Sequence, residues 1–263
     1  VSEWRESEEH WAVEPNNPSD NDSRSSLSAF TTTHWSVVLT AGDKESPRPA
    51  EALENLCRTY WFPLYAFVRR KGHGVPEAED LTQEFIARLL RRNFPAGIRP
   101  EGGKFRSYLL TALQHFLTNE WASARTQKRG GGKTVLSWQE LNAEERYRVE
   151  PADQTTPETL FDRQWATVVL DRVRKRLGEE YRDEGKLELF VKLRPCLTGA
   201  ERLIPYAELA RQFECSESAV KMAVHRLRKR YGELLRQEIS QTVAGPGDVE
   251  EEIRSLLSAV RSS

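Results

Sequence analysis

The sequence predicts an all-α protein, two small helical domains joined by a flexible linker, the second containing a helix-turn-helix. Three observations predict it. Apolar residues recur at spacings of three and four along most of the chain, the period of one helix face. Patterns of the alternating, strand kind are scarce. Gly130-Gly131-Gly132 opens a polar stretch that separates two helical blocks. At 263 residues the chain is also longer than a typical single domain. The expected units are a disordered acidic tail over 1–30, a helical domain over 31–132 and a linker over 133–156. A second helical domain over 157–236 and an acidic extension over 237–263 complete the chain.

Each element has its own warrant. The tail is turn-rich and polar around Pro15-Asn16-Asn17-Pro18-Ser19-Asp20, which cannot bury enough apolar surface to order itself. A first helix over 48–70 carries Leu53, Leu56, Tyr60, Leu64 and Phe67 and stops at Lys71-Gly72-His73-Gly74. Pro76 opens the next helix at a favoured first-turn position, with Ala78, Leu81, Phe85 and Leu89 on its apolar side. A long helix over 104–128 buries Phe105, Leu109, Leu113, Phe116 and Leu117. The second block starts at Pro157 with Leu160, Trp165, Val169, Val173 and Leu177 inward. Short helices over 186–194 and 205–213, then a long one over 217–236, follow it. The acidic end adds a short helix over 249–260.

Composition narrows the function. No apolar run approaches the length that spans a bilayer, and Glu3, Glu6, Glu8 and Glu9 stand where a signal peptide would be basic and then apolar. Cys57, Cys196 and Cys215 are odd in number and share no CxxC spacing, so neither a disulfide framework nor a metal site is expected. The expected location is the cytoplasm, with no membrane partner. The net charge is only -1, but it is unevenly spread. Arg99, Lys104, Arg106, Arg125, Lys128, Arg129 and Lys133 make one basic island. Lys221, Arg226, Arg228, Lys229, Arg230 and Arg236 make another. Acidic connectors separate them, as expected of two contact surfaces for one polyanion.

The segment 205–236 reads as helix, tight turn, helix. Ala210 is small where the helices would cross, and Ser216 is a good N-cap for the second. Val220, Ala223, Val224, Leu227, Tyr231 and Leu234 face one way along it. Ser218, Lys221, Met222, His225, Arg226 and Lys229 lie on the other side, and the early positions suit base edges in a major groove. Arg228, Arg230 and Arg236 lie where phosphates would be met. On the 104–128 helix the polar side holds Thr111, Gln114, His115, Thr118 and Arg125, with Trp121 at its edge and Lys128 and Arg129 beyond. Such a mixture suits unstacked bases as well as a backbone, or a solvated face. Glu77, Asp80 and Glu84, with Gln83 among them, form an acidic stripe; no His accompanies it at metal-ligand spacing, such stripes are usually solvated, and a protein-docking face is a third reading.

Enzyme signals fail on inspection, so no catalytic residue and no cofactor is expected. Gly130-Gly131-Gly132-Lys133-Thr134 lacks the earlier glycine and the strand of a phosphate loop. The SxxK pattern at Ser218–Lys221 falls inside the basic helix. His10, His34, His73, His115 and His225 are scattered.

In this order the two blocks resemble a sigma factor of bacterial RNA polymerase, of the extracytoplasmic-function group. The resemblance covers most of residues 35–236. Glu77-Ala78-Glu79-Asp80-Leu81-Thr82-Gln83-Glu84-Phe85 is similar to region 2.2. That similarity implies docking on the β′ clamp helices of core RNA polymerase through Glu77, Asp80, Gln83 and Glu84. Phe105-Arg106-Ser107-Tyr108-Leu109-Leu110-Thr111-Ala112-Leu113 onward resembles regions 2.3 and 2.4, which implies melting and reading of the minus-ten element. The stretch 216–228 resembles the recognition helix of region 4.2, which implies reading of the minus-thirty-five element. Promoter DNA and core polymerase, including its β subunit, are the implied partners, and the group leaves room for an anti-sigma factor. His115 stands where the family commonly has Asn, and Glu214 where it commonly has Gly, so Glu214 is strained if its position needs positive φ. A helix-turn-helix regulator that never engages polymerase is the alternative.

Overall fold

The first described helix, α1 (Ala50–Arg70), carries more apolar surface than one neighbour can cover. Every residue from Thr59 to Val68 is buried, all the way round the helix. Such a helix must sit at the centre of a bundle. It holds Pro63 in its interior, a residue that costs a free helix about 3 kcal/mol. Packing on every side outweighs that penalty.

The computed structural model describes residues 50–90, 104–124, 143–148, 155–197, 205–243 and 245–261. All of them belong to one compact unit, residues 32–263. The tail over 1–30 lies outside the described residues. After α1 come α2 (Val75–Leu90), α3 (Phe105–Ala124), α4 (Ala143–Arg148) and α5 (Pro157–Asp183). Then come α6 (Leu187–Leu193), a 3₁₀ turn (Arg194–Leu197), α7 (Tyr206–Gln212), α8 (Glu217–Ser240) and α9 (Val249–Arg261). The described residues hold no strand, and none of their helices is long and apolar enough to cross a membrane. The protein is all-α.

α5 lies along α1 in the most extensive helix contact, and α2 covers another side. Thr156 caps α5, its Oγ1 accepting from the Thr159 amide at 3.1 Å, and Pro157 follows at the first turn. Its apolar stripe, Leu160, Phe161, Trp165, Val169, Val173 and Leu177, is buried. Gly178 lets α6 approach, because a Cβ there would lie 2.9 Å from the Phe190 ring. α3 is tied in by aromatic contacts, Tyr60 to Phe105 at 5.4 Å and Phe85 to Phe116 at 5.7 Å. Within the expected linker, α4 docks on α1. Arg69 Nε and Nη2 donate to the Glu144 carboxylate, each at 3.1 Å, and the Tyr65 hydroxyl donates at 2.8 Å.

The acidic extension is folded. α8 continues to Ser240 and buries Glu238 and Ile239. Phe105 N donates to Thr242 O at 2.9 Å, beside an isolated bridge between Lys104 and Val243. α9 packs on α5 and α8 through Val249, Ile253 and Leu256. Its Glu252 is fully buried and pairs with Arg106 at the head of α3, at 2.5 Å to Nε and 3.3 Å to Nη2. Arg106 also donates to Asp162 on α5 and lies over the Trp165 ring at 5.1 Å.

A buried charge left without its partner is costly, so Glu252→Ala is expected to lower stability by about 3–5 kcal/mol. Urea unfolding measures it. The double change Arg106→Met with Glu252→Leu, which removes both charges and keeps the volume, should return most of that loss.

Candidate nucleic-acid interface

The two-helix unit α7–α8 is built by local rules. Leu209 and Ala210 of α7 are buried against α8, and Ala210 is small at the crossing. α7 ends in a Schellman motif: Cys215 N donates to Ala210 O at 3.0 Å and Glu214 N to Arg211 O at 3.4 Å. That motif puts its C′ residue in the left-handed region, and Glu214 has φ 50°. α5 ends in the same motif, with Lys186 N to Tyr181 O at 2.7 Å, but there the C′ residue is Gly185 at φ 72°. Glu214 therefore occupies the left-handed C′ position that glycine usually fills. Ser216 then caps α8, its Oγ accepting from the Ala219 amide at 3.2 Å and lying 2.9 Å from Ser218 Oγ.

On α8, Val220, Val224, Leu227 and Leu234 are buried, as their spacing predicts, while Ala223 and Tyr231 are partly so. The structure divides the basic residues of this helix into two groups. Arg228 is exposed but engaged within the chain, Nε and Nη2 both donating to Cys196 O at 3.0 and 2.9 Å. Arg230 clamps Glu180 of α5 with two bonds of 2.8 Å and reaches Glu233 at 3.1 Å. That guanidinium holds the Glu180 carboxyl below its usual range. Arg236 pairs with Glu250 at 2.7 Å. Ser218, Lys221, Met222, His225, Arg226 and Lys229 are exposed, and Lys221 and Lys229 have no ion-pair partner among the described residues. Lys221, His225 and Lys229, four residues apart, form one outward stripe whose cations are Lys221 and Lys229.

On α3, Ser107, Thr111, His115 and Thr118 are exposed at spacings of four, four and three, one continuous polar stripe. Gln114 is drawn toward α5, Nε2 donating to Glu158 Oε1 at 3.0 Å, and Glu158 also meets Lys71 at 3.5 Å. The side chain of Trp121, and Arg125, Lys128 and Arg129 entirely, lie outside the described residues. On α2 the acidic stripe is outward but not uniform. Glu77 pairs with His73 at 3.1 Å, and Glu84 accepts from Arg88 at 2.8 Å. Arg88 continues to Glu120 of α3 at 2.7 Å. Asp80 is exposed and Gln83 half-buried.

No group of three or more His, Cys, Asp or Glu among the described residues is placed to hold a metal ion. Sequence reasoning counted Lys104 and Arg106 in the first basic island but gave them no partner. The signal was there in Glu250-Glu251-Glu252 at the head of an amphipathic stretch, Val249, Ile253, Leu256 and Val260, which must pack on something. Comparison of the chain with protein-family models, with curated proteins and with solved structures finds no match.

Left-handed φ costs a side chain about 1–2 kcal/mol, and glycine gives back about 0.5–1 kcal/mol in chain entropy. Glu214→Gly is therefore expected to stabilise the protein by about 0.5–1 kcal/mol in thermal or urea unfolding, while Glu214→Ala should gain nothing. Equal stability of the Gly and Ala variants would remove the strain assignment.

Proposed function

We propose that this protein is a sigma-type transcription initiation factor, which binds core RNA polymerase and directs promoter recognition. The observation that carries the reading is the α7–α8 unit. A short helix ends in a left-handed turn at the position where the resembled family has Gly, and a serine-capped helix then presents Ser218, Lys221, Met222, His225 and Lys229 outward. As a helix-turn-helix it would lay the first turns of α8 in a major groove, where lysine donates to guanine N7 and O6. Arg226 stays within this face, whereas the bonds of Arg228 to Cys196 and of Arg230 to Glu180 make these two arginines braces for α8.

The other two surfaces fit the same role. The exposed stripe Thr111, His115 and Thr118 on α3 offers hydrogen-bond donors and acceptors that could meet the edges of unpaired minus-ten bases. The outward acids of α2, Glu77, Asp80 and Glu84 with Gln83, supply a docking face for the β′ clamp helices. Duplex opening would draw on binding free energy, with no covalent step, so no cofactor enters.

The test is run-off transcription with core polymerase on a promoter library. Transcripts from a defined set of promoters are expected, and Asp80→Lys with Glu84→Lys should abolish both polymerase capture and transcription. DNA binding with no polymerase capture by the unaltered protein would leave a regulator that acts alone. Lys221→Ala should cost about 1–3 kcal/mol with loss of base preference, read by anisotropy on variant duplexes. Lys229→Ala should weaken all duplexes alike and reduce the salt slope by about one.

A further inference from the structure

Three consecutive carboxylates at the head of α9 each take a cation from another element. Glu250 meets Arg236 of α8 at 2.7 Å, Glu251 meets Lys104 at 2.8 Å, and Glu252 meets Arg106 at 2.5 Å and Lys104 at 3.3 Å. The pairs differ in burial. Glu252 is fully buried, whereas Glu250 and Glu251 are 61% and 60% exposed, and Arg236 is 56% exposed. The inner pair belongs to the core. The outer two are bonds of the surface kind, weakened by water and salt, and a polyanion can compete for them.

Helix geometry says where Arg236 points. It lies seven residues beyond Lys229 and eleven beyond His225. At 100° per residue each step returns to within about 20° of the same direction. Arg236 therefore continues the outward stripe of Lys221, His225 and Lys229, roughly 22 Å further along the helix than Lys221. It is the one cation of that line whose charge is taken by an acid from another helix. Lys104 takes the next carboxylate, Glu251, and is tethered just beyond the end of α8 by the Lys104–Val243 bridge.

We propose that Arg236 and Lys104 form a second contact site for the phosphate backbone of duplex DNA, covered in the free protein by Glu250 and Glu251. DNA seated on the Lys221–Lys229 stripe would displace the two outer carboxylates. α9 itself would stay docked through Leu256 and the Glu252–Arg106 pair. The covering acids lower non-specific affinity, so that only a duplex already held by the α8 stripe gains the extra contacts. The proposal rests on the DNA reading of α8.

The experiment uses the full chain, a short random-sequence duplex and anisotropy across a salt series. Glu250→Gln with Glu251→Gln leaves the core intact, which thermal unfolding verifies. It is expected to bind about three- to tenfold tighter at low salt, with a salt slope steeper by about one to two. Adding Arg236→Gln and Lys104→Gln to that variant should return affinity to the wild-type value. Asp183→Asn with Glu188→Gln removes the same charge elsewhere and should gain much less. The proposal is overturned if the Glu250/Glu251 variant binds no tighter, if its gain survives loss of Arg236 and Lys104, or if the charge control gains as much. Lys221→Ala with Lys229→Ala separates the two ideas. If it loses binding while the Glu250/Glu251 variant gains none, only the covered site falls. If it binds as well as wild type, the DNA reading of α8 falls.

Discussion

A carboxylate with no exposed surface, Glu252, sets the terms for the rest of the molecule. Taking that charge out of water costs several kcal/mol unless a partner meets it with good geometry, and Arg106 does so with two donors. Arg106 in turn is held by Asp162 and by the face of Trp165. One ion pair thereby fixes α3, α5 and α9 relative to one another. A second buried carboxylate, Glu238 of α8, meets Arg172 of α5 at 3.2 Å, and Arg172 also donates to Thr59 of α1. Tyr60 lies near both acids, and burial, with their negative charge, pushes its phenol well above the ordinary range. It stays neutral. Apolar surfaces can slide on one another at small cost, but paired charges in a low dielectric have few acceptable arrangements. In this reading the polar seam gives the bundle its register, and the aromatic core gives it stability.

The same geometric logic sorts the cations of α8. An arginine offers a planar fork of donors: Arg230 spans both oxygens of Glu180 with two bonds, and Arg228 closes two donors on the single Cys196 carbonyl oxygen. Lys221 and Lys229 carry compact, well-hydrated charges on flexible stems and are left in water. Bonded arginines and solvated lysines are interleaved along one helix. The bland counting of basic residues cannot separate them, because both kinds lie within a turn of each other.

That is also where the sequence was and was not legible. The helices were readable because burial follows a period of three to four, and Leu56, Phe85, Leu109, Trp165, Val224 and Leu227 are inside as their spacing requires. The strained turn was readable from one residue type, since glycine's usual place was filled by Glu214. The fate of an acidic run was not. Glu250, Glu251 and Glu252 look alike in sequence, yet one is core and two are surface, and only the phase of the apolar residues around them decides which. Long-range partners such as Cys196 for Arg228 or Glu144 for Arg69 leave no mark at all, because nothing local records them.

The difference between those neighbouring acids has an energetic consequence. Exposed pairs are screened within about 8–10 Å at ordinary ionic strength, so the bonds of Glu250 and Glu251 can exchange without disturbing the fold. The Glu252–Arg106 pair is shielded from salt, and opening it would also strip Val249, Ile253 and Leu256 from α5 and α8. α9 therefore has two grades of attachment, an inner one that salt screens little and an outer one that salt screens readily. A helix fastened in this way can change the charge that its neighbours present while the bundle beneath it stays in place.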